Sequence, residues 1–381
     1  MKKTISLILV MVMLAAALVG CGTKEEAPAP EAKPAETTAA KEEAAPAAED
    51  VVIGLSMPTL QEERWQKDRD IIIAKLVELG VKEENILVQS ADGDEQKQVT
   101  QCENLITQDI DSLIILPQNG EACAPVVKSA HEAGVKVIAV DRIIRNVDLD
   151  FFITYDAVQI GRIQGEYITG KVDSGNWIMI AGAPQDPNAA RIRQGQMEYV
   201  QPLIDAGKVK VVLDQAANYW NPDEALLYTE QGLTANDNDI QCVFTSNDGC
   251  AGAAIEALEE QGLAGTVPVP GLDADLAACQ RIIAGTQSMT VYRKLSIMDE
   301  TAAQIAFAFA TGSDVVAAVG DLEIETQDNG FKEVPSILLK DKSMMFAVDA
   351  ENMEEVVKDG WLKAEDIFKN VPVEQWPEWA K

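Results

Sequence analysis

The sequence predicts an α/β protein built from two doubly wound parallel-sheet lobes that are joined by a three-strand hinge. Three observations support this prediction. Strand-like and helix-like segments alternate along the chain after residue 50. The alternation occurs twice at a near-constant offset, because Ile110 and Ile240 begin matching strands, and Asp141 and Asp273 end the next matching pair. The segments after Asp273 have no counterpart in the repeat, which indicates that the chain crosses back to the first lobe.

The segment that ends at Cys21 has the pattern of an export signal. Two lysines precede an apolar run of about 15 residues, from Ile5 to Val19, which is short for a membrane-spanning helix. The run ends in the letters LVGC, which resemble the bacterial lipobox, in which the cysteine becomes the lipidated first residue of the mature protein. The alternative is an ordinary secretory signal with an incidental cysteine. We expect a protein that Cys21 anchors to the outer face of the cell membrane by lipid alone.

Residues 22–50 consist mostly of Ala, Pro, Glu and Lys and include no large apolar side chain. Such a segment cannot bury enough surface to offset its ordering entropy, so it is predicted to be a disordered tether. Its charge of about −5 is a small part of the −31 that the whole chain carries. The folded body is therefore strongly acidic, which argues against nucleic acid or an anionic lipid surface as a partner.

The first repeat has the order βαβαβαβ. Its predicted strands and helices, in chain order, are strand 51–58, helix 62–79, strand 85–91, helix 94–108, strand 111–117, helix 122–133 and strand 135–140. Asp92 is a candidate N-cap for the second helix. A further β-rich run, Phe151 to Tyr155, follows too soon for a helix to intervene, which suggests a passage from one sheet to the other.

The second repeat has the same pattern. Its predicted elements are strand 176–184, helix 189–206, strand 209–215, helix 222–231, strand 240–248, helix 251–261 and strand 266–275, followed by helix 277–284, strand 289–293 and helix 296–310. We expect crossings between the lobes near Tyr155, Arg293 and Val334. The first lobe would then contain residues 51–154 and 293–333, and the second lobe residues 155–292 and 334–381.

Polar side chains follow the predicted strands of both repeats, where the carboxyl ends of parallel strands would meet in a shared cleft. These side chains are Asn119, Asp141, Arg142, Asn247, Asp248 and Asp273, joined by Arg64, Asn188, Arg193, Trp220, Arg293 and Lys294 near element ends. Carboxylates accept hydrogen bonds from vicinal hydroxyls, Arg and Asn donate to hydroxyl and ring oxygens, and an aromatic face covers the C–H patch of a sugar. Each residue alone could be an ordinary cap or surface group, so the placement at matching strand ends is what favours a sugar site.

Several stretches resemble the sugar-binding proteins of bacterial ABC transporters, of the ribose/galactose type, and within them the D-xylose-binding branch. These stretches are ERWQKDRDI, QSADGDEQKQ, VDRII, DPNAARIRQGQM, TSNDGCAGAAIEAL, GLDADLA and IAGTQSMTVY. The resemblance implies a type I periplasmic-binding-protein (Venus-flytrap) fold whose lobes close on a monosaccharide, with xylose favoured. It also implies that a monomer delivers the sugar to an ABC permease and its ATPase.

Carried over by motif, the resemblance implies a set of sugar-contacting residues. They are Arg64, Asp141, Arg142, Asn188, Arg193, Trp220, Asn247 and Asp273, with Arg293 where the family pattern leads us to expect Lys. A forked guanidinium is not an ammonium point charge, so the local hydrogen bonding must differ. A second departure is Leu272, where the family would place Gln. Both departures bear on which sugar is bound: glucose, galactose and ribose remain alternatives to D-xylose.

Catalysis, metal binding and cofactor binding find little support in the sequence. The only histidine, His131, has no nucleophile or metal-ligand motif at a useful spacing and is predicted to be a solvated helix residue. The acidic run 236–239 lacks the glycine and glutamate of a calcium loop. The five cysteines after Cys21 have no CxxC spacing, which favours buried thiols but does not exclude one disulfide.

A sensor subunit that presents sugar to a chemoreceptor or histidine kinase remains the alternative to transport.

Overall fold

The computed structural model of the chain describes residues 46–381, which belong to one compact unit. The predicted signal, Cys21 and residues 22–45 of the predicted tether lie outside the described residues. Residues 46–50 pack on the body instead of forming part of a free tether. Ala48–Asp50 forms a short 3₁₀ helix, and the Glu49 carbonyl accepts a hydrogen bond from Asn85 Nδ2 at 3.1 Å. The ordered body therefore begins before Val51, because this polar segment finds partners beside the second strand.

The strands of the described part of the chain are short and mostly buried. They are β1 (Ile53–Met57), β2 (Ile86–Ser90), β3 (Ser112–Ile115), β4 (Lys136–Val140), β5 (Phe151–Tyr155), β6 (Gly175–Ala181), β7 (Val209–Ala216), β8 (Cys242–Thr245), β9 (Pro270–Leu272), β10 (Met289–Arg293), β11 (Glu325–Asp328), β12 (Glu333–Leu339) and β13 (Met345–Val348). Continuous apolar runs such as those of β3 and β4 are expected for parallel strands that helices cover on both faces.

The helices alternate with these strands as the sequence predicts. They are α1 (Glu63–Glu78), α2 (Glu95–Ile106), α3 (Ala124–Glu132), α4 (Ala157–Lys171), α5 (Pro187–Asp205), α6 (Pro222–Ala235), α7 (Asp248–Glu260), α8 (Leu276–Ala284), α9 (Leu295–Thr311), α10 (Val315–Val319), α11 (Glu354–Lys358) and α12 (Ala364–Ile367). The N-cap of α2 is Asp94, whose carboxylate accepts from the amides of Gln96 and Lys97, and not Asp92 as expected. Asp92 has a φ of 53° and pairs with the Lys97 ammonium.

The first sheet has seven strands in the order β11-β12-β5-β4-β3-β1-β2, and every pair is parallel except β11 with β12. Helix α9 returns to this sheet and packs on α1, β3 and β4. We call these strands, together with α1–α3, α9 and α10, the first lobe. β5 lies beside β4 in this sheet, so the expected passage between sheets does not occur between those two strands. The chain leaves the first lobe after Tyr155 instead.

The second sheet consists of the ladders β7-β6-β8 and β13-β10-β9. The Val243 amide on β8 donates to the Pro268 carbonyl just before β9 at 3.2 Å, so the two ladders adjoin. β13 is antiparallel to β10, and the other pairs are parallel. We call these strands, with α4–α8, α11 and α12, the second lobe.

The last crossing between the lobes lies further along the chain than the sequence suggested. β12 pairs in parallel with β5, with Ile337 opposite Ile153, so residues 334–339 belong to the first sheet and the predicted crossing near Val334 is wrong. The reason is the pairing of β12 with β5, which a distant part of the chain supplies. The turn at Asn329 and Gly330 then joins β11 and β12 as a hairpin at the edge of the same sheet. The chain crosses between Leu339 and Met345.

Helices α4 and α5 cross very closely beside the cleft. A Cβ atom at Gly161 would lie 1.9 Å from the Ile192 carbonyl oxygen, and one at Gly195 would lie 2.0 Å from that of Val158. Only glycine at both positions lets the two backbones touch. This contact brings the N-terminal turns of the two helices, which include Asn188, to the wall of the cleft.

In the described part of the chain, no helix is both long and apolar enough to cross a membrane. The cysteines there, residues 102, 123, 242, 250 and 279, are buried free thiols. His131 is not fully solvated: its Nε2 lies 2.7 Å from Asp150 Oδ2, and its side chain is 28% exposed.

Candidate functional site

A cavity lies between the carboxyl ends of the two sheets. Both lobes contribute to its wall. The lining residues are Glu62, Arg64, Trp65, Asp141, Arg142, Thr154, Tyr155, Ala157, Ile160, Asp186, Asn188, Ile192, Trp220, Asn247, Leu272, Asp273 and Arg293. The structure thus brings together eight of the nine residues that the sequence singled out as sugar ligands: Arg64, Asp141, Arg142, Asn188, Trp220, Asn247, Asp273 and Arg293.

Four ionic side chains, two from each lobe, meet at the cavity, and the pair of Arg293 with Asp141 links the lobes. Arg293, at the end of β10, places NH1 3.3 Å from Asp141 Oδ1 and NH2 2.5 Å from Asp273 Oδ1. Arg64, at the start of α1, places its NH2 3.0 Å from Asp141 Oδ1. Asp141 is therefore held between two guanidinium groups, and Arg293 spans the two strand-end carboxylates.

The electrostatic environment of Asp141 favours its charged form. Burial alone would raise the pKa of this carboxyl, but the guanidinium groups of Arg64, Arg293 and Arg142 outweigh burial. They hold the pKa of Asp141 far below its usual range. Asp141 is therefore a hydrogen-bond acceptor at any physiological pH.

A second polar group of contacts surrounds Arg142. Its Nε donates to Asp186 Oδ2 at 2.6 Å, and its NH1 donates to the Pro117 carbonyl at 3.0 Å. Asp186 caps α5 by accepting from the Asn188 amide, and its Oδ2 also accepts from Trp220 Nε1 at 3.2 Å. A first-lobe arginine and a second-lobe tryptophan are thus fixed by one carboxylate.

Two amide side chains complete the polar wall. Asn188 Nδ2 donates to the Asp141 carbonyl at 2.9 Å, which is a further bond between the lobes. Asn247 caps α7 through its side-chain oxygen, which accepts from the Cys250 amide at 3.1 Å. These bonds hold the two amide side chains in one orientation, so their remaining polar atoms are available to a ligand at low entropic cost.

Aromatic rings form part of the wall. The Arg64 guanidinium carbon lies 3.9 Å from the centroid of the Trp65 ring, and that of Arg142 lies 5.2 Å from it. Arg293 lies 5.8 Å from the ring of Tyr155. These cation–π contacts hold the guanidinium groups flat against apolar surface.

Arg193 is the predicted site residue that the structure does not place in the cavity. It pairs with Asp214 on β7, and its side chain is 20% exposed. The cause is helical phase. Asn188 and Ile192 are four residues apart and share the cavity face of α5, whereas Arg193 follows Ile192 and so points about 100° away.

Sequence reasoning missed several lining residues. Asp186 carried a signal, since an acid before Pro-Asn at a helix start is a strong N-cap pattern. Trp65 is 2% exposed and serves both the core and the cavity. Glu62 had no distinguishing sequence signal. Burial raises the pKa of Glu62, while Arg142 opposes that shift.

The balance of charges indicates the kind of ligand that the cavity can hold. The wall contains three arginines and four carboxylic side chains, Glu62, Asp141, Asp186 and Asp273. These groups largely neutralise one another, so the cavity offers no strong net charge to an ion. It offers instead alternating donors and acceptors beside aromatic surface, which suits a small uncharged molecule with several hydroxyl groups.

Comparisons with known proteins agree with this chemistry. Residues 53–314 match the model of the periplasmic binding protein domain family. The chain is 43% identical to the D-xylose-binding periplasmic protein of Escherichia coli K12 over 84% of this chain and 93% of that protein. The Haemophilus influenzae protein of the same name is also 43% identical, over 84% and 92%. A solute-binding protein of an ABC transporter from Clostridium phytofermentans, solved with bound β-D-glucose, matches with a TM-score of 0.74 and 26% identity, over 83% of this chain and 99% of that chain.

Proposed function

Because this chain belongs to the periplasmic binding protein family and has its type I fold, we propose that it captures a monosaccharide outside the cytoplasm and delivers it to an ABC importer. D-xylose is the ligand we favour, since the relatives at 43% identity are D-xylose-binding proteins. Proteins of this family bind solutes and do not transform them, and we extend that property to this chain. The protein would act as a monomer that docks on the permease of the importer.

The observation that carries the proposal is the cavity between the lobes, in which Arg293 joins Asp141 to Asp273. Within the described residues Arg293 Nε finds no hydrogen-bond acceptor, so this group of side chains keeps a free donor. A sugar that enters would offer hydroxyl donors to the two carboxylates and hydroxyl acceptors to the guanidinium groups. Each charge-assisted bond of this kind contributes about 1.5–3 kcal/mol. Two vicinal hydroxyl groups of a sugar can donate to the two oxygens of one carboxylate.

The apolar part of the wall would provide selectivity for shape. Trp65, Tyr155 and Trp220 supply ring surface against which the C–H groups of a pyranose can pack. Leu272 stands directly before Asp273 and offers no polar atom to a hydroxyl at that point. We infer that the sugar carries no exocyclic group needing a hydrogen-bond partner beside Leu272, which is consistent with an aldopentose.

Isothermal calorimetry across D-xylose, D-ribose, D-glucose, D-galactose and D-arabinose tests the proposal. We expect D-xylose to bind most tightly and to be recovered unchanged after incubation. If no sugar of this panel binds with a Kd below about 1 mM, the receptor function is wrong. If glucose binds more tightly than xylose, the function stands and the ligand is corrected.

We also propose that Cys21 anchors the protein by lipid to the outer face of the cell membrane. The support is the LVGC sequence at the end of the apolar signal. The variant Cys21→Ser should leave the membrane fraction, lose label from a radioactive fatty acid and bind sugar with parental affinity. Equal labelling of Cys21→Ser and the parent would contradict the lipid anchor and leave the sugar-binding proposal intact.

A further inference from the structure

Two carboxyl groups face each other inside the first lobe, behind the cavity. Asp68 lies on α1 and Asp299 on α9, and both are 0% exposed. The packing of α1 on α9 brings the two carboxyl groups close enough that each shifts the pKa of the other. Neither residue lines the cavity, but Asp68 Oδ2 accepts from Arg64 Nε at 3.1 Å, and Arg64 does line it.

The hydrogen bonding of this pair is incomplete if both groups are ionised. Of the four carboxyl oxygens, three find no donor in the described part of the chain: Asp68 Oδ1 and both oxygens of Asp299. A buried carboxylate without a donor is strongly disfavoured, and two ionised carboxylates in contact repel each other. One proton between them would remove the repulsion, turn one of these oxygens into a donor and give another an acceptor's bond.

The surroundings offer too few cations to hold both charges. On α1 the pair faces Arg64, which Asp141 at the end of β4 already shares. Arg293 also lowers the pKa of Asp68, but its guanidinium group already pairs with Asp141 and Asp273. Tyr155 of β5 is nearby as well, and its hydroxyl donates to the Lys294 carbonyl. Strands β1 and β3 and helix α10, which also pack on α9, contain no charged side chain.

We propose that Asp68 and Asp299 share one proton and together position Arg64: the protonated Asp299 carboxyl donates to Asp68 Oδ1, and Asp68, with a single negative charge, holds Arg64 Nε. The positioning role rests on the proposed function, since Arg64 is the residue of this group that would touch the sugar. Asp68 and Asp299 are positioning residues and make no contact with the cavity.

The direction of the pKa shifts agrees with this assignment. Burial, reinforced by the neighbouring Asp68, raises the pKa of Asp299 well above its usual value. Burial also raises the pKa of Asp68, to about 6, although Arg64 opposes the shift. The proton therefore resides on Asp299 at neutral pH.

A shared proton makes stability depend on pH in a defined sense. The folded state keeps this proton above about pH 4, where the unfolded chain releases it. The free energy of unfolding therefore falls as pH rises. The contribution of the pair is fully present below about pH 4 and is lost as pH rises through the folded-state pKa. Replacing Asp299 by Asn removes the titrating proton but keeps an N–H donor for Asp68.

The first experiment measures unfolding of the sugar-free, full-length chain in denaturant between pH 5 and pH 9. We compare the equilibrium constants of unfolding of the parent and of Asp299→Asn. The ratio of the parent's constant to the variant's should rise by up to about tenfold per pH unit over the lower part of this range. Glu300→Gln is the matched control, because it removes one negative charge from the next residue of α9, whose side chain is 47% exposed. It should follow the parent. Parallel profiles for Asp299→Asn and the parent would overturn the shared proton.

An infrared difference spectrum at pH 7 provides an independent test of the proton. The parent minus Asp299→Asn should contain the C=O band of a protonated carboxylic acid, and the parent minus Glu300→Gln should not. A carboxylate band in place of the acid band would show that Asp299 is ionised and would contradict the proposal.

The positioning role is tested by D-xylose calorimetry. Asp68→Ala removes the partner of Arg64 Nε and should weaken binding about tenfold, whereas Asp299→Asn should stay within about threefold of the parent. If Asp68→Ala fails to fold, Asp68→Asn removes the charge with the same volume and serves instead. Parental affinity in the Asp68 variant overturns the positioning role. A parent that binds no sugar contradicts the proposed function, and the unfolding and infrared results then still decide the shared proton.

Discussion

Asp141 and Asp273 occupy equivalent places in the two lobes, but their surroundings differ. The backbones match: the Asp141 amide donates to the Ile153 carbonyl of the neighbouring strand at 2.9 Å, and the Asp273 amide donates to that of Val291 at 3.0 Å. Both residues have positive φ, of 66° and 105°. Asp141, however, is 2% exposed and pairs with two guanidinium groups, whereas Asp273 is 9% exposed and pairs with Arg293 alone among the described residues.

The difference shows that the repeated strands fix the backbone, while the counter-charges come from elements other than those strands. Arg64 comes from the start of α1, and Arg293 ends the strand from which the chain crosses back to the first lobe. Asp141 is consequently needed to neutralise cations even without a ligand. Asp273 shares one cation and is more available to an incoming hydroxyl.

The largest effect is expected for Asp141→Ala. This variant leaves Arg64 and Arg293 buried with too few counter-charges, and removing one partner of a buried ion pair costs about 3–5 kcal/mol of unfolding free energy. Sugar affinity should fall more than about a hundredfold, because an acceptor and the placement of two donors are lost together. Chemical denaturation and calorimetry measure the two quantities.

Asp141→Asn is the matched control for charge at constant shape. It should bind sugar more weakly than the parent but retain more stability than Asp141→Ala, since its amide oxygen still accepts from one guanidinium group. If Asp141→Ala has the same unfolding free energy as the parent, Arg64 and Arg293 do not need Asp141 to neutralise their charges.

A smaller effect is expected for Asp273→Ala. Arg293 keeps Asp141 as a partner in this variant, so the unfolding free energy should fall by about 1–2 kcal/mol. Sugar affinity should fall by about tenfold to a hundredfold through the loss of one charge-assisted bond. The same two measurements apply. If Asp273→Ala destabilises the ligand-free protein as much as Asp141→Ala does, the proposed difference between the lobes is wrong.

The strand-end carboxylates were predictable because their positions follow from local sequence. A buried apolar run followed by Asp marks the carboxyl end of a parallel strand, and the repeat at a near-constant spacing places two such ends in one cleft. The type I fold that the resemblance implies is confirmed. Its alternating helices and strands were predictable from hydrophobic periodicity.

What the sequence did not reveal depends on partners that are distant in the chain. The edge that β12 joins is set by its pairing with β5, which lies far earlier in the chain, and no property of the segment 334–339 specifies that edge. The contact of Asp68 with Asp299 likewise arises from the packing of α1 on α9. In the sequence, Asp299 is simply a polar residue in an apolar helix. The structure shows that packing buries its two oxygens without a donor among the described residues.

The smallest effect is expected for a substitution of Arg193, which lies outside the cavity. A resemblance of motifs brought it into the predicted site, but α5 turns it toward Asp214, in a partly exposed ion pair of a kind that contributes about 0–1 kcal/mol. Arg193→Ala should therefore keep sugar affinity within about twofold of the parent and change the melting temperature little.

Arg142→Ala is the matched arginine variant inside the cavity. It should weaken binding at least about tenfold, because Asp186, which also accepts from Trp220, loses the guanidinium group that holds it. If calorimetry instead finds a tenfold loss for Arg193→Ala at parental stability, the cavity face of α5 extends beyond Asn188 and Ile192. The second lobe would then supply the sugar with a second cation besides Arg293, and the contrast between Asp141 and Asp273 would narrow.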